Sequence, residues 1–391
     1  MKNRQDAGGC KVKYKQNWEE TKEKFRNYWK HQNTGRPLMI VVAEKEGAAP
    51  LPEELRSKDM EDKYMNPERM VASYRHWCEN HEFLGESFPN MSADFGPGSI
   101  AAYLGSDIEF QDRTVWFTEC VEDWEEEGPL KFDPENAWFQ KHMEVVKKCR
   151  ELAGDDFYVA IPDLMENVDI LASLRGAQNT IFDLIDEPEE MEKRIQEVTD
   201  VYFEYYDRFY DLVKDSKDDS SCYTVFQIWG EGKTAKLQCD FSAMMSPTQY
   251  REFIVDSLRQ QAKKLDNVLY HLDGPDAIKH VDALMEIEEI DALQWTSGDH
   301  GPDGTLEDWY EIYDKARRAG KISVDQGLYR NGRRLDSQCG SAGTKIWFPQ
   351  YAALLQSDVY GRRQETDGLC RRALERCKRD IRMLIRWRKR A

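Results

Sequence analysis

The segment 236–295 constrains this chain most. It contains LQCDFSAMMSP, YHLDGP and DALQW in succession. Around it, apolar runs of strand length (223–228, 268–270 and 292–295) alternate with segments of helical composition (247–265 and 276–287). Alternation of this kind predicts parallel strands joined by right-handed helical crossovers. Polar residues of unusual type stand where the runs end: Glu231, Cys239, Asp240, His271 and Asp273. In β/α folds the carboxyl ends of the strands carry the chemistry, because the loops there converge on one rim.

The rest of the chain extends the pattern in both directions. Helices are predicted at 18–31, from Pro67 to about 80, and at 135–152, 167–174, 178–186, 188–214 and 306–319. Further strands are predicted at 37–42 (PLMIVV), 114–119 (TVWFTE), 158–161 and 321–324 (KISV). That makes seven candidate barrel strands before residue 326, with an eighth expected to follow. The economical closure is a TIM-type (β/α)8 barrel over 36–325, preceded by a helical extension at 1–35.

Composition narrows the function classes. A net charge of −18 argues against nucleic acid or an anionic membrane as partner, since phosphate binding needs a basic face. No apolar run approaches the ~20 residues that span a bilayer. The polar N-terminus lacks a signal-peptide core, so the expectation is cytoplasmic. Nine cysteines without paired spacing suggest reduced thiols.

Residues 326–391 break the pattern. They carry 16 Lys+Arg against 6 Asp+Glu, whereas 1–325 carry 39 against 67. Read one base later, codons for RRQETDGLCRRALERC (362–377) are compatible with GDKKLMAFVDELWNDV, an acidic amphipathic helix fit to close a barrel. We read this as a frameshift after Val324 that corrupts the last β/α unit. The rival is a genuine basic tail, helical over 371–390, and the nucleotide sequence distinguishes the two.

Three stretches carry a family likeness: DILASLRGAQNTIFDLIDEPEEM (169–191), SPTQYREFIVDSL (246–258) and YHLDGPDAIKHVDALMEIEEIDALQW (270–295). With GRPLMIV and PNMSADFGPGSIAAYLG, they resemble the uroporphyrinogen decarboxylase superfamily. The resemblance covers roughly residues 20–325. It implies a single-domain β/α barrel and either of two activities: porphyrinogen decarboxylation without cofactor, or zinc-dependent methyl transfer linked to a corrinoid. Two departures matter. Where the decarboxylases carry an arginine-rich loop that grips carboxylates, this chain reads AEKEGAAP. Where the methyltransferases bind zinc through an HxC pair and a later cysteine, this chain has His271-x-Asp273.

The candidate site follows from these residues. His271 and Asp273, two apart at a strand end, project to one side. Cys239 follows the preceding strand, so Cys239, His271 and Asp273 are expected to hold zinc with one position open. The competing readings are a metal-free active site, or a rim histidine beside a small buried thiol. Asp240 and Glu231 are candidates for acid–base work or for orienting the His271 ring, against a role as cap or ion-pair partner of Lys233 or Lys236. Asp94 sits where the family's strand-end acid would lie, or caps a helix before GPGS. Arg175 binds either a substrate carboxylate or a buried acid. Trp116, Phe117, Trp229 and Trp295 are expected to wall a flat ligand. The leading expectation is zinc-assisted methyl transfer from a corrinoid-linked methyl group, delivered by a corrinoid protein, to a thiol or other small acceptor. The alternatives are decarboxylation of a porphyrinogen-like tetrapyrrole and a non-catalytic tetrapyrrole or corrinoid binder.

Overall fold

A computed structural model describes residues 12–32, 38–112, 114–298, 304 and 307–325, together with the strand segments 329–330, 333–334 and 351–353. It is a mixed α/β structure built on one continuous hydrophobic core. Six of the predicted helices form at nearly the expected bounds, several of them with their own start signals in the sequence, whereas the segment predicted helical over 276–287 is a 3-10 helix at Pro275–His280 followed by a short α-helix at Val281–Met285. Helix α1 (Trp18–Trp29) opens with Glu19 and Glu20 in its first turn, and α2 (Pro67–Glu79) has Asn66 as its cap and proline at its start. Helix α3 (Ala137–Ala153) is capped by Asn136. Helices α4 (Asn167–Arg175) and α5 (Ala177–Asp186) meet at Gly176. Helix α6 (Pro188–Val213) begins on proline and two glutamates. It buries Met191, Ile195, Val198, Tyr202, Tyr205, Tyr206 and Phe209, the one-sided stripe of a 3.6-residue period.

The strands divide into several sheets. Strand β1 (Leu38–Glu44) pairs antiparallel with β2 (His81–Gly85). Strand β3 (Asn90–Met91) pairs in parallel with β6 (Tyr158–Val159), and Ile161 bridges in parallel to Tyr223 of β7 (Ser221–Tyr223). Strand β7 forms a hairpin with β8 (Ile228–Gly230). Four strands then run parallel side by side: β9 (Thr234–Gln238), β10 (Asn267–Asp273), β11 (Ala292–Thr296) and β12 (Ile322–Asp325). The segment Tyr351–Ala353 lies between β12 and β1, antiparallel to both.

Three strand expectations need correction. Residues 114–119 are not a barrel strand; β4 (Ile108–Phe110) and β5 (Val115–Phe117) make a separate antiparallel hairpin. The run 223–228 is the turn between β7 and β8, where Gln227 takes φ +52° and its N–H bonds Thr224 O at 3.0 Å. The strand that neighbours β10 is β9, TAKLQ, which reads as polar. Its Lys236 and Gln238 face a cavity, while Ala235 and Leu237 are buried on the opposite face.

The ring expected from the sequence is not closed by strand pairing among the described residues. Pairing breaks between β2 and β3 and between the β7–β8 hairpin and β9. In place of a parallel eighth strand stands the antiparallel Tyr351–Ala353. The proposed frameshift at 362–377 and the rival helix at 371–390 lie outside the described residues. The expected N-terminal extension belongs to the common core: Trp18 and Phe25 of α1 pack on Trp229, and the Trp29 indole N–H bonds Trp229 O at 2.8 Å. No helix among the described residues is long and apolar enough to cross a membrane.

Candidate functional site

A cavity of about 550 Å³ opens at the carboxyl ends of the strands. Its polar lining includes Asp163, Lys236, Gln238, Asp240 and His271, and its apolar lining includes Met165, Trp116, Phe117, Val225 and Phe226. Each element contributes through a simple rule. On β9 the inward positions alternate, so Lys236 and Gln238 face the cavity and Asp240 continues the row past the strand end. On β10 the same parity turns His271 and Asp273 one way and Tyr270 the other. Pairing of His271 with Gln238 brings the two rows level. Asp163 arrives on the segment after β6, where Met165 (φ +53°) and Asn167 (φ +49°) hold left-handed backbone. Such strain persists only where surrounding contacts over-determine it. Here the Asn167 amide donates to Gln238 O at 2.7 Å and Glu166 accepts the Gln238 N–H.

Asp240, His271 and Asp273 converge at the mouth. One ligand atom from each lies within 4.8 Å of the other two. A zinc ion bonds His N and carboxylate O at about 2.0–2.2 Å, so these atoms need only small rotations to share one. The His271 ring is prepared for such a bond. Its Nδ1 is hydrogen-bonded to Gln294 Oε1, and the Gln294 amide is held in place by donating to Trp295 O (2.8 Å) and Thr296 Oγ1 (2.9 Å). That arrangement puts the imidazole proton on Nδ1 and leaves the Nε2 lone pair for a ligand. Burial, then the Lys236 charge, pushes the His271 pKa down, which favours the neutral, ligating form.

Beneath the mouth is a dense acidic network around one lysine. The Lys236 ammonium pairs with Asp163 Oδ1 at 2.8 Å and donates to Gln238 Oε1. The Tyr223 hydroxyl donates to the same Asp163 oxygen at 2.7 Å. Asp169 accepts the backbone N–H groups of Asp240 (2.9 Å) and Phe241 (2.8 Å), which holds the loop that carries Asp240. Burial raises the pKa values of three carboxyls: Asp94 to about 7, with Asp163 adding to it; Asp169 to about 7, with Asp240 adding; and Asp240 to about 6, with Lys236 opposing and Asp273 adding. Lys236 is raised despite its burial, because Asp163 and Glu166 outweigh the loss of water.

Several expected site residues stand elsewhere. Cys239 is not in the ligand group. It falls on the other face of β9 from Gln238 and is buried beside Tyr250 and Tyr270, where burial pushes its thiol well above the ordinary range. Asp240, expected to handle protons, takes the position that Cys239 was expected to fill. Glu231 lies in the turn before β9, at the opposite end of the strand, and is paired with Arg26 at 2.7 Å rather than with Lys233 or Lys236. Arg175 is satisfied by Asp183 (2.9 and 3.3 Å), so the buried-acid reading holds. Trp229 and Trp295 are core residues, the first against α1 and the second against Trp309 at 5.0 Å. Trp116 and Phe117 do line the cavity, and Trp116 is 60% exposed at its edge. Asp94 is half-buried behind the cavity and accepts the Asp163 N–H at 2.7 Å, so it is not a helix cap.

The sequence reading missed Asp163, Gln238, Gln294, Tyr223 and Phe226, and took Lys236 only as an ion-pair partner for Asp240 or Glu231, whereas it pairs with Asp163. The available signal was the charged residue in mid-run of TAKLQ, since a lysine between Ala and Leu in a buried strand needs a partner.

Asp94 offers a test of this network. A buried carboxyl whose folded pKa is raised binds its proton more tightly folded than unfolded. The stabilisation from that proton is present at low pH and is withdrawn as pH rises from about 4 to about 7. Asp94→Asn removes this contribution. Urea unfolding between pH 4.5 and 7.5 is expected to show wild type losing more stability than the variant, by on the order of 1–3 kcal/mol.

No protein-family model matches the chain, and the search of curated proteins returned no significant match.

Proposed function

We propose that this chain is a uroporphyrinogen decarboxylase-like barrel enzyme that performs metal-assisted methyl transfer. The donor is a corrinoid-linked methyl group, brought by a corrinoid protein to the open rim, and the acceptor is a small thiol or hydroxyl compound. The barrel part of the proposal is supported by the parallel run β9–β12 and by the parallel β3–β6 pair bridged to β7. The observation that carries the functional reading is the convergence of Asp240, His271 and Asp273 within 4.8 Å at the mouth of a cavity.

Two carboxylates and one imidazole fit a divalent cation of hard to borderline character. Zinc belongs to this range, as does manganese; the softer thiolate set expected from Cys239 does not form. A cation held there supplies Lewis acidity, which lowers the pKa of a bound thiol or hydroxyl. The chain's own residues do the rest. Gln294 fixes the His271 ring, Asp169 holds the Asp240 loop by two backbone N–H groups, and Trp116, Phe117 and Phe226 keep the acceptor in an apolar setting. The reading suits a reducing cytoplasm, where an acceptor thiol stays free.

Decarboxylation of a porphyrinogen is the weaker reading. A substrate with many carboxylates needs several cations, and the described cavity lining holds Lys236 and no arginine. Lys45 of the AEKEG loop is engaged with Glu79 O at 2.7 Å.

The test is elemental analysis of protein purified without chelator, followed by equilibrium dialysis and assay with methylcobalamin and small thiols. About one equivalent of divalent metal and methyl transfer that EDTA abolishes are expected. A protein that takes up no divalent cation at micromolar concentration ends the proposal, and tetrapyrrole binding without turnover favours the non-catalytic binder. Gln294→Ala is expected to weaken metal binding by about 10–100-fold without removing a ligand, the usual cost of losing a partner that orients a ligating histidine. Competition with a fluorescent zinc chelator reads that change.

A further inference from the structure

A second chamber opens at the same rim, on the other side of the β7–β8 turn. Its volume is about 580 Å³, within the range of small-molecule sites. Among the described residues it shares no lining residue with the metal cavity. The turn is the partition: Thr224 faces this chamber, while Val225 and Phe226 face the other. The ends of β1 and β3 reach it, and α2 forms its outer wall through Met70, Tyr74 and Trp77.

Strand pairing builds the polar end of the chamber. Glu44, the last residue of β1, stands directly opposite His81, the first of β2. Both side chains therefore leave the ladder on one face, with Cβ atoms about 4.5–5.5 Å apart. The Lys45 N–H donates to Asn80 O at 2.8 Å and holds the pair in register. The His81 ring is fixed twice. Its Nδ1–H donates to Trp77 O at 2.7 Å, and the ring stacks on the Trp77 indole with centroids 4.3 Å apart. A carbonyl oxygen can only accept, so in the neutral ring Nδ1 carries the proton and Nε2 keeps its lone pair. A carboxylate and an imidazole nitrogen thus stand side by side as acceptors at one end of an aromatic wall.

The charges around the chamber decide what those acceptors meet. Glu44 is the one carboxylate in the described lining, which contains no lysine or arginine. Lys45 is turned away by strand alternation and donates to Glu79 O at 2.7 Å. The arginines of α2 pair elsewhere, Arg69 with Asp62 and Arg75 with Asp156. Asn80 accepts the Ala49 N–H at 2.7 Å, and Ser73 donates to Leu55 O at 2.7 Å, so these polar side chains are already engaged. An anionic ligand would find no counter-charge here.

We propose that this chamber binds a planar nitrogen cation: an amidinium, guanidinium or protonated aminoheterocycle on a flat apolar body. Two N–H groups of such a cation diverge in one plane, one to the Glu44 carboxylate and one to His81 Nε2. Its body lies against Met70, Tyr74 and Trp77. The site is separate from the metal group and does not depend on it.

The probe is benzamidine, compared with benzamide, which has nearly the same outline and no charge. Isothermal titration is run at pH 8, above the ordinary histidine range of about 6.5. Benzamidine is expected to bind wild type with a Kd of about 1 mM or lower, ordinary for so small a ligand. It is expected to bind about 10-fold more tightly than benzamide, the lower end for a charge-assisted hydrogen bond because Glu44 is exposed. Glu44→Gln keeps the shape of the side chain at that exposed position and is expected to abolish the preference. Absence of saturable benzamidine binding, or equal affinity for the two compounds, overturns the proposal without any variant. A preference that survives in Glu44→Gln places the cation in another cavity and overturns it as well.

Discussion

His271→Ala is expected to reduce bound divalent metal from about one equivalent to background, while Cys239→Ser leaves it unchanged. The two substitutions separate the site read along the chain from the site that the fold assembles. His271 contributes the sole nitrogen of the group, its ring oriented through Nδ1 by Gln294. Loss of the ligand itself is expected to exceed the 10–100-fold that loss of its supporting hydrogen bond costs. The carboxylates of Asp240 and Asp273 would remain, close together and without the neutral donor that separates their charges. Cys239 lies on the far face of the strand beside Tyr250 and Tyr270, with its thiol held protonated by burial. A thiolate is the ligating form, and this one would have to ionise in the core to take part. Isothermal titration with zinc and manganese measures both variants. Metal loss in Cys239→Ser with retention in His271→Ala would refute the assignment.

The second large effect concerns stability. Lys236→Met is expected to destabilise the fold by about 3–5 kcal/mol at neutral pH, the cost of breaking a buried pair from one side. Asp163 would keep the Tyr223 hydroxyl and lose its counter-charge in a region already crowded by Glu166 and Asp169. Asp163→Asn in the same chain is expected to restore a large part of that loss, because what costs most is the uncompensated charge rather than the missing contact. Urea unfolding of wild type, single and double variants gives the comparison. A single variant within about 0.5 kcal/mol of wild type, the range of ordinary surface substitutions, would show that the pair is not desolvated.

Of the site, the part legible in sequence was the part that depends on one strand. His271 and Asp273 share a face because any extended chain alternates, and Gly274 after them takes φ +79°, which ends the run. Helix bounds were legible for the same local reason. Ser246 and Gln249 form a reciprocal cap at the start of the helical region 247–262, and SPTQ states that cap directly. Neighbouring strands were harder to read. TAKLQ looks like a solvent-facing segment, because its polar residues are as frequent as in a surface strand; they face a cavity instead of water. The run 223–228 is more apolar and was therefore the better strand by composition, yet it turns at Thr224–Gln227.

By itself, the sequence determined the helices, the α/β alternation and the same-sided projection of His271 and Asp273, since each depends on backbone geometry within a few residues. The tertiary structure decided which residue completes the group. Pairing of Gln238 with His271 sets the register of β9 against β10, and that register sends Asp240 to the mouth and Cys239 into the core. One step along a strand reverses the side chain's direction, so adjacent residues of equal promise in sequence are separated by the thickness of a sheet. The same dependence placed Trp229 and Trp295 in the core and Lys236 beside Asp163, because burial and pairing are properties of the packed sheet rather than of the residue.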